Sequence, residues 1–388
     1  MDWLPYERGE VLTGTGADFA KLRAAWRIVE RRSRDDSLFD FTGLVRSLHV
    51  EDDVLDDELS PALYGERLTE LALEHLGGVP GRDDVFVANR TTAALVAAMQ
   101  VLVRPGSRVV GVSPSYTHPA AVRAVRLAGG DFAEGGDPDG ADLVLLTRLA
   151  VTYELLPEDE LVRDFAAPVF LDDAGGARVG PAVFGQPKSL ELPVQAAVTG
   201  LDKYGTTGPR LGLLAGRAEL VAEIRARAIE LGLEARPMLY PAVVRSLEQY
   251  RPERVRELVA ATAAVGDALE ERLGDLVTRT PVAVRLDGEV TLAEALRRAG
   301  LGGTTVVPIE ATAALAMSLL RDHGILTVHF AAVPPGTAAL LLKFVPPETL
   351  DRFGGAPSFA RAVDESLDQV GDLLGDTQKL REALTMTE

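Results

Sequence analysis

Between Val85 and about Ile229, short apolar runs alternate with segments whose apolar residues recur every three or four positions. The runs lie at Val85–Ala88 and near Val109, Leu143, Val169, Ala196 and Leu213; they read as strands, and their alternation with helical segments predicts βα units on a mostly parallel sheet. The chain on either side reads differently. Phe19, Leu22, Trp26 and Val29 recur at helical spacing and predict an N-terminal helical arm over residues 1–45, closed by the polar run from Arg31 to Asp36. A helix from Asp57 to His75 then meets the breaker Gly77-Gly78-Val79-Pro80-Gly81. After Gly232 to Pro237, the pattern predicts a long helix from Glu253 to Leu273 and a strand from Val282 to Leu286. A helix from Ala311 to His323 follows, then strands at Thr327 to Phe330 and Ala339 to Val345. The expected division is therefore an arm over 1–45, a large α/β domain over 46–235 and a smaller C-terminal α+β domain over 236–388.

Composition narrows the class. A chain of 388 residues has ample length for a large core and two domains. It has no cysteine, which excludes a disulfide framework and a thiolate metal site. Met1 to Arg8 lacks the basic and apolar regions of a secretory signal, and no apolar run nears the ~20 residues that span a bilayer. A cytoplasmic protein with no membrane partner is expected. The net charge of −18 argues against a nucleic-acid partner, because such binding rests on neutralising phosphates with Lys and Arg. Gly14-Thr15-Gly16 lacks the preceding strand of a dinucleotide site, no Gly-Lys-Ser/Thr string is present, and His323 and His329 have no acidic cluster at ligand spacing. No metal is expected.

Chemistry concentrates at the ends of the predicted strands. Lys203 is one of five lysines in a chain that carries most of its positive charge on arginine, and it follows the run Val198-Thr199-Gly200-Leu201-Asp202. Lysine alone of the two can lose its proton when partly buried and then condense with a carbonyl. Upstream, Val169-Phe170-Leu171 ends in Asp172-Asp173-Ala174-Gly175-Gly176. An Asp at such a strand end is the expected partner of a protonated pyridine nitrogen, worth roughly 1.5–3 kcal/mol as a charge-assisted hydrogen bond. Asp172 closes the apolar run, whereas Asp173 alternates to the other face; both also suit an ordinary turn. Together Lys203 and Asp172 point to pyridoxal phosphate. A phosphate cradle fits Asn89-Arg90-Thr91-Thr92, where a strand gives way to a helix whose free amides and dipole favour an anion. Arg90, Thr91 and Thr92 are its candidates, and Thr199 is a further donor; the two threonines equally suit a helix cap. His118, in Ser115-Tyr116-Thr117-His118-Pro119 after the strand from Arg108 to Val112, is placed either to stack on a cofactor ring or to cap a helix.

The order of phosphate loop, His118, Asp172 and Lys203 resembles the fold-type I pyridoxal phosphate enzymes of the aspartate aminotransferase superfamily. Leu171-Asp172-Asp173-Ala174-Gly175-Gly176-Ala177-Arg178 and Asp202-Lys203-Tyr204-Gly205-Thr206-Thr207-Gly208-Pro209-Arg210-Leu211-Gly212 are similar to the bacterial selenocysteine synthase group and its archaeal relatives of unsettled function. The resemblance implies a mostly parallel central sheet with helices on both faces and a smaller C-terminal α+β domain. It also implies a homodimer, Asp172 as the pyridine-nitrogen aspartate, Ala174 as the small residue under the ring and His118 as the stacking residue. Many members of that superfamily hold a substrate carboxylate with an Arg on a late strand. Here Ala339-Leu340-Leu341-Leu342-Lys343 puts Leu341 at that place, which leaves Lys343, Arg148, Arg210, Tyr64, Arg46 and Arg236 as candidates, each equally able to serve in a surface ion pair.

The expected activity is that of a lyase or transferase acting on a small amino acid or amine through a Lys203 Schiff base. Lys203 serves as base at the α-carbon, and the outcome is β-elimination or β-replacement. An aminotransferase is the alternative. A noncatalytic sensor or partner subunit that binds pyridoxal phosphate is the reading from another class.

Overall fold

The computed structural model describes residues 8–44, 57, 59–332 and 336–385. The apolar periodicity near the N-terminus does form a helix, α1 (Thr15–Arg34), followed by a short strand, β1 (Phe39–Asp40). Of the residues that carry that spacing, Phe19 and Trp26 are 50% and 62% exposed while Leu22 and Val29 are half-buried, and Asp18, Lys21, Ala24 and Ala25 are buried. The buried polar side chains have partners that make this possible. Asp18 accepts from Arg8 at 2.9 Å, and Lys21 Nζ lies 2.8 Å from His329 Nε2.

The chain divides into two units, residues 45–256 and residues 1–44 with 257–388. The first contains α2 (Ser60–Leu76), β2 (Asp83–Ala88), α3 (Thr91–Leu102), β3 (Arg108–Val112), α4 (Pro119–Leu127), β4 (Asp131–Glu134), β5 (Leu143–Thr147), α5 (Glu158–Leu161), β6 (Val169–Asp172), α6 (Gly176–Phe184), β7 (Ala196–Gly200), β8 (Gly212–Arg217), α7 (Ala218–Glu230) and α8 (Tyr240–Glu248). Its strands form one sheet in the order β2-β8-β7-β6-β5-β3-β4, parallel except that β8 runs antiparallel to both neighbours. The central strands are continuous apolar runs because both faces are covered. Val144, Leu146 and Leu171 pack with Leu68, Leu71 and Leu247 on one side, and Leu143, Leu145 and Phe170 pack with Leu95, Met99, Val125 and Ile224 on the other. This is the expected α/β architecture, a mostly parallel sheet with helices on both faces.

The second unit contains α9 (Pro252–Leu273), within which the boundary falls, then β9 (Thr278–Thr280), β10 (Ala283–Asp287), α10 (Gly288–Ala299), α11 (Pro308–His323), β11 (Ile325–Leu326), β12 (Ala339–Lys343), α12 (Pro347–Arg352), α13 (Ala356–Leu374) and α14 (Thr377–Thr385). β12, β10 and β9 make an antiparallel sheet, and β1 pairs in parallel with β11. Two expectations change here. Residues 236–256, expected in the smaller domain, belong to the first unit, where α8 buries Val243, Val244 and Leu247 in the core shared with α2. The strand expected at Thr327 to Phe330 is instead a 3-10 turn over Val328–Ala331, whose His329 is buried, with Nδ1 2.9 Å from the Thr337 carbonyl oxygen. No helix among the described residues is long and apolar enough to cross a membrane.

Candidate active site

Because β2, β3, β5, β6 and β7 run in the same direction, their carboxyl ends gather along one edge of the sheet, the edge at which open α/β sheets bind ligands. Four candidates come from it: Thr91 after β2, His118 after β3, Asp172 at the end of β6 and Lys203 after β7.

Asp172 closes β6 opposite Thr147 and Val198, is 3% exposed, and accepts a hydrogen bond from the Ala174 amide at 3.2 Å. Burial pushes its carboxyl up to about 6, against the pull of the Ala174 amide and the charge of Lys203. Asp173 turns to the other face, as strand alternation requires. Its Oδ2 accepts from Ser189 Oγ at 2.7 Å and lies 3.1 Å from Arg148 Nη2, and neither side chain of this ion pair is exposed. Asp173 is thus already neutralised, while Asp172 remains for the site.

Lys203 is half-buried in the loop that carries the chain from β7 to β8. That loop is closed by the Leu201 amide donating to Leu211 at 2.9 Å, and Thr206 Oγ1 lies 2.7 Å from both the Leu201 and the Lys203 carbonyl oxygens. Its charge acts on both Asp172 and His118. His118 caps α4, Nδ1 accepting from the Ala120 amide at 3.0 Å, and the residue is exposed. Crowding by the surrounding chain, then the charges of Lys203 and Arg123, lower its pKa to about 4, so the ring is neutral. The cap and the stacking position are compatible, because the cap uses only one ring nitrogen.

The first turn of α3 presents the free amides of a helix start, with Thr91 half-buried and Arg90 and Thr92 exposed. Two glycines let neighbouring strands approach it. A Cβ on Gly212 would stand 2.7 Å from the Arg90 carbonyl and the Thr91 amide nitrogen, and a Cβ on Gly200 would stand 3.3 Å from Thr91 Oγ1. Thr199 is wholly buried, and its hydroxyl lies 3.4 Å from both the Ala174 carbonyl oxygen and Arg178 Nη1.

The substrate-side candidates stand in different surroundings. Arg148 is fully buried, held by Asp173 and by the Pro187 carbonyl at 2.7 Å, so it supports Asp173 rather than meeting a substrate. Arg210 is half exposed, with Nε 3.3 Å from Asp202 Oδ2. Arg236 pairs with Asp57. Tyr64 packs against the core between α2 and the sheet. Lys343 belongs to the other unit, where it is buried on β12, and Arg46 lies outside the described residues. A recess of about 750 Å³, lined by Arg67, Leu71, His75, Ala177, Lys188 and Tyr250 among others, takes none of its lining from Lys203, Asp172, His118 or Thr91.

Sequence reasoning missed two features. Arg178 is completely buried behind Gly200, and Tyr204 hydrogen-bonds Tyr153, both tyrosines having left-handed backbones (φ 49° and 67°) that bulky residues rarely adopt. The left-handed tyrosines left no sequence signal. Arg178 left a weak one, a lone cation in the first turn of the helix that follows Asp172.

These residues fit a pyridoxal phosphate. Lys203 would supply the amine, Asp172 a buried carboxylate for the ring nitrogen, Ala174 a small side chain and His118 a neutral flat ring. The glycine-walled start of α3, which a Cβ at Gly200 or Gly212 would crowd, suits the phosphate.

No family model matches the chain. It is similar to the UPF0425 pyridoxal phosphate-dependent protein of Methanothermobacter thermautotrophicus, with 32% identity over 362 residues that cover 89% of this chain and 91% of that protein. Among solved structures, it is similar to ureidoglycine-glyoxylate aminotransferase from Bacillus subtilis, with TM-score 0.56 and 15% identity over 89% of this chain and 96% of that one. It is also similar to aspartate aminotransferase from Thermotoga maritima, with TM-score 0.53 and 15% identity over 92% and 97%. The structural likeness establishes the fold-type I architecture of pyridoxal phosphate-dependent transferases, and the sequence likeness establishes kinship: the chain belongs to the UPF0425 family of pyridoxal phosphate-dependent proteins.

Proposed function

We propose that this protein is a pyridoxal phosphate-dependent enzyme of β-elimination or β-replacement on a small amino acid or amine, with Lys203 as the attachment residue and the base. The observation that carries the reading is the convergence of Lys203, Asp172 and His118 at the carboxyl edge of the sheet.

When bound, the cofactor supplies an electron sink for the pair released as a bond to the substrate α-carbon breaks. The chain supplies the rest. The Lys203 amine takes the proton from the α-carbon. Asp172, in a desolvated position, holds a proton on the ring nitrogen through a charge-assisted hydrogen bond. His118, kept neutral, covers the ring, and the Thr91 hydroxyl with the first-turn amides of α3 binds the phosphate. A leaving group on Cβ departs, giving elimination, or is exchanged for a nucleophile, giving replacement. The resemblance of residues 171–178 and 202–212 to the selenocysteine synthase group supports this outcome, and the charge of −18 favours a free amino acid over an aminoacyl-tRNA. Arg210, at the exposed end of the Lys203 loop, is the candidate for the substrate carboxylate. The resemblance to the aspartate aminotransferase superfamily supports a homodimer.

The test is the visible spectrum of the purified protein with pyridoxal phosphate, beside Lys203→Ala, during titration with amino acids, followed by assay for keto acid and ammonia. A Lys203-dependent band, with keto acid and ammonia formed in the absence of an acceptor, supports elimination. Keto acid formed only when a second keto acid accepts the amino group makes the enzyme an aminotransferase. A Lys203-dependent band that responds to no amine makes the protein a sensor, and the absence of such a band overturns the site.

A further inference from the structure

Arg178 stands in the first turn of α6 with no solvent exposure. Both circumstances are unfavourable. Burial strips the guanidinium of its hydration, and a cation in the first turn of a helix opposes the helix dipole. The compensation comes largely from one place. Nη1 donates to the Gly200 carbonyl at 2.7 Å and lies 3.4 Å from Thr199 Oγ1, within the field of Tyr250, Asp202, Asp173 and Tyr204. Nε and Nη2 have no hydrogen-bond partner among the described residues.

Gly200 is a consequential residue to hold. It ends β7, walls the cradle beside Thr91 Oγ1, and lies three positions before Lys203. Thr206 braces the middle of the Lys203 loop through its contacts with the Leu201 and Lys203 carbonyl oxygens, while Arg178 braces the point where the chain leaves the strand.

We propose that Arg178 is a positioning residue for cofactor attachment: its guanidinium holds the Gly200 carbonyl, and with it the exit of Lys203 from β7. The proposal rests on the reading of Lys203 as the attachment residue.

The experiment uses the full-length protein loaded with pyridoxal phosphate and compares wild type with Arg178→Met, Arg178→Lys and Lys203→Ala. Two quantities are read: the share of bound cofactor that gives the Lys203-dependent visible band, and the cofactor dissociation constant from equilibrium dialysis. Arg178→Met is expected to lower that share and to weaken cofactor binding about ten-fold or more. Arg178→Lys is expected to act in the same direction, because an ammonium does not reproduce the reach and geometry of the guanidinium. A folded Arg178→Met protein with wild-type share and affinity overturns the proposal. Should Arg178→Met fail to fold, Arg178→Lys decides alone: a lowered share or weakened affinity supports the proposal, and wild-type values of both overturn it. If wild type itself shows no Lys203-dependent band, the reading of Lys203 falls and this inference with it; a band indifferent to Arg178 overturns only the inference.

Discussion

Asp172→Asn should stabilise the cofactor-free protein and weaken its hold on the cofactor. The folded protein raises the Asp172 carboxyl from 3.8 to about 6, chiefly because burial penalises the charged form. A raised acid contributes stability that is complete below pH 3.8 and is lost as the pH rises through about 6, so near neutrality the ionised group is a liability. A displacement of that size corresponds to about 3 kcal/mol of lost stability at pH 8 and roughly 1.6 kcal/mol at pH 5. Asparagine removes the charge and keeps an oxygen for the Ala174 amide. Denaturant unfolding of the apo-proteins should therefore show Asp172→Asn more stable by about 3 kcal/mol at pH 8, with the gain about halved at pH 5. Saturating pyridoxal phosphate should reverse the order at pH 8, because the cofactor binds the folded state and only the wild-type carboxylate pairs with a protonated ring nitrogen. A gain that does not change with pH, or an apo variant no more stable than wild type at pH 8, would refute the reasoning that burial sets the state of Asp172.

Three further outcomes are expected. His118→Asn keeps a helix-capping side chain but removes the ring, so it should leave the melting temperature near wild type while raising the cofactor dissociation constant; His118→Ala should also cost about 1 kcal/mol through the lost cap. Gly212→Ala puts a Cβ against the backbone of Arg90 and Thr91, and equilibrium dialysis should show pyridoxal phosphate bound about ten-fold more weakly, or worse. Arg148→Met strands Asp173 as a buried charge and should destabilise the protein by about 3–5 kcal/mol, whereas the double change Arg148→Met with Asp173→Leu should recover much of that loss in the same unfolding assay.

The sequence alone carried the strand pattern of the 45–256 unit apart from β4, the opposite facing of Asp172 and Asp173, and the order Thr91, His118, Asp172, Lys203 along the chain. Each depends on local rules: continuous apolar runs mark covered strands, successive side chains in a strand face opposite ways, and helix starts favour anions. Tertiary structure decided matters that depend on what a side chain meets far along the chain. Phe19 and Trp26 marked a helix by their spacing, but that α1 buries Asp18 and Lys21 follows from Arg8 and His329 meeting those groups. Arg148 looked like an anion binder because it follows a strand, but the carboxylate it meets is Asp173. Thr199 had the right sequence distance from Lys203, but its hydroxyl faces the Ala174 carbonyl and Arg178. Arg178 itself left only a weak trace in the sequence. Burial of a cation depends on which carbonyls and carboxylates surround it, and those neighbours are brought together only when β6, β7 and α6 pack.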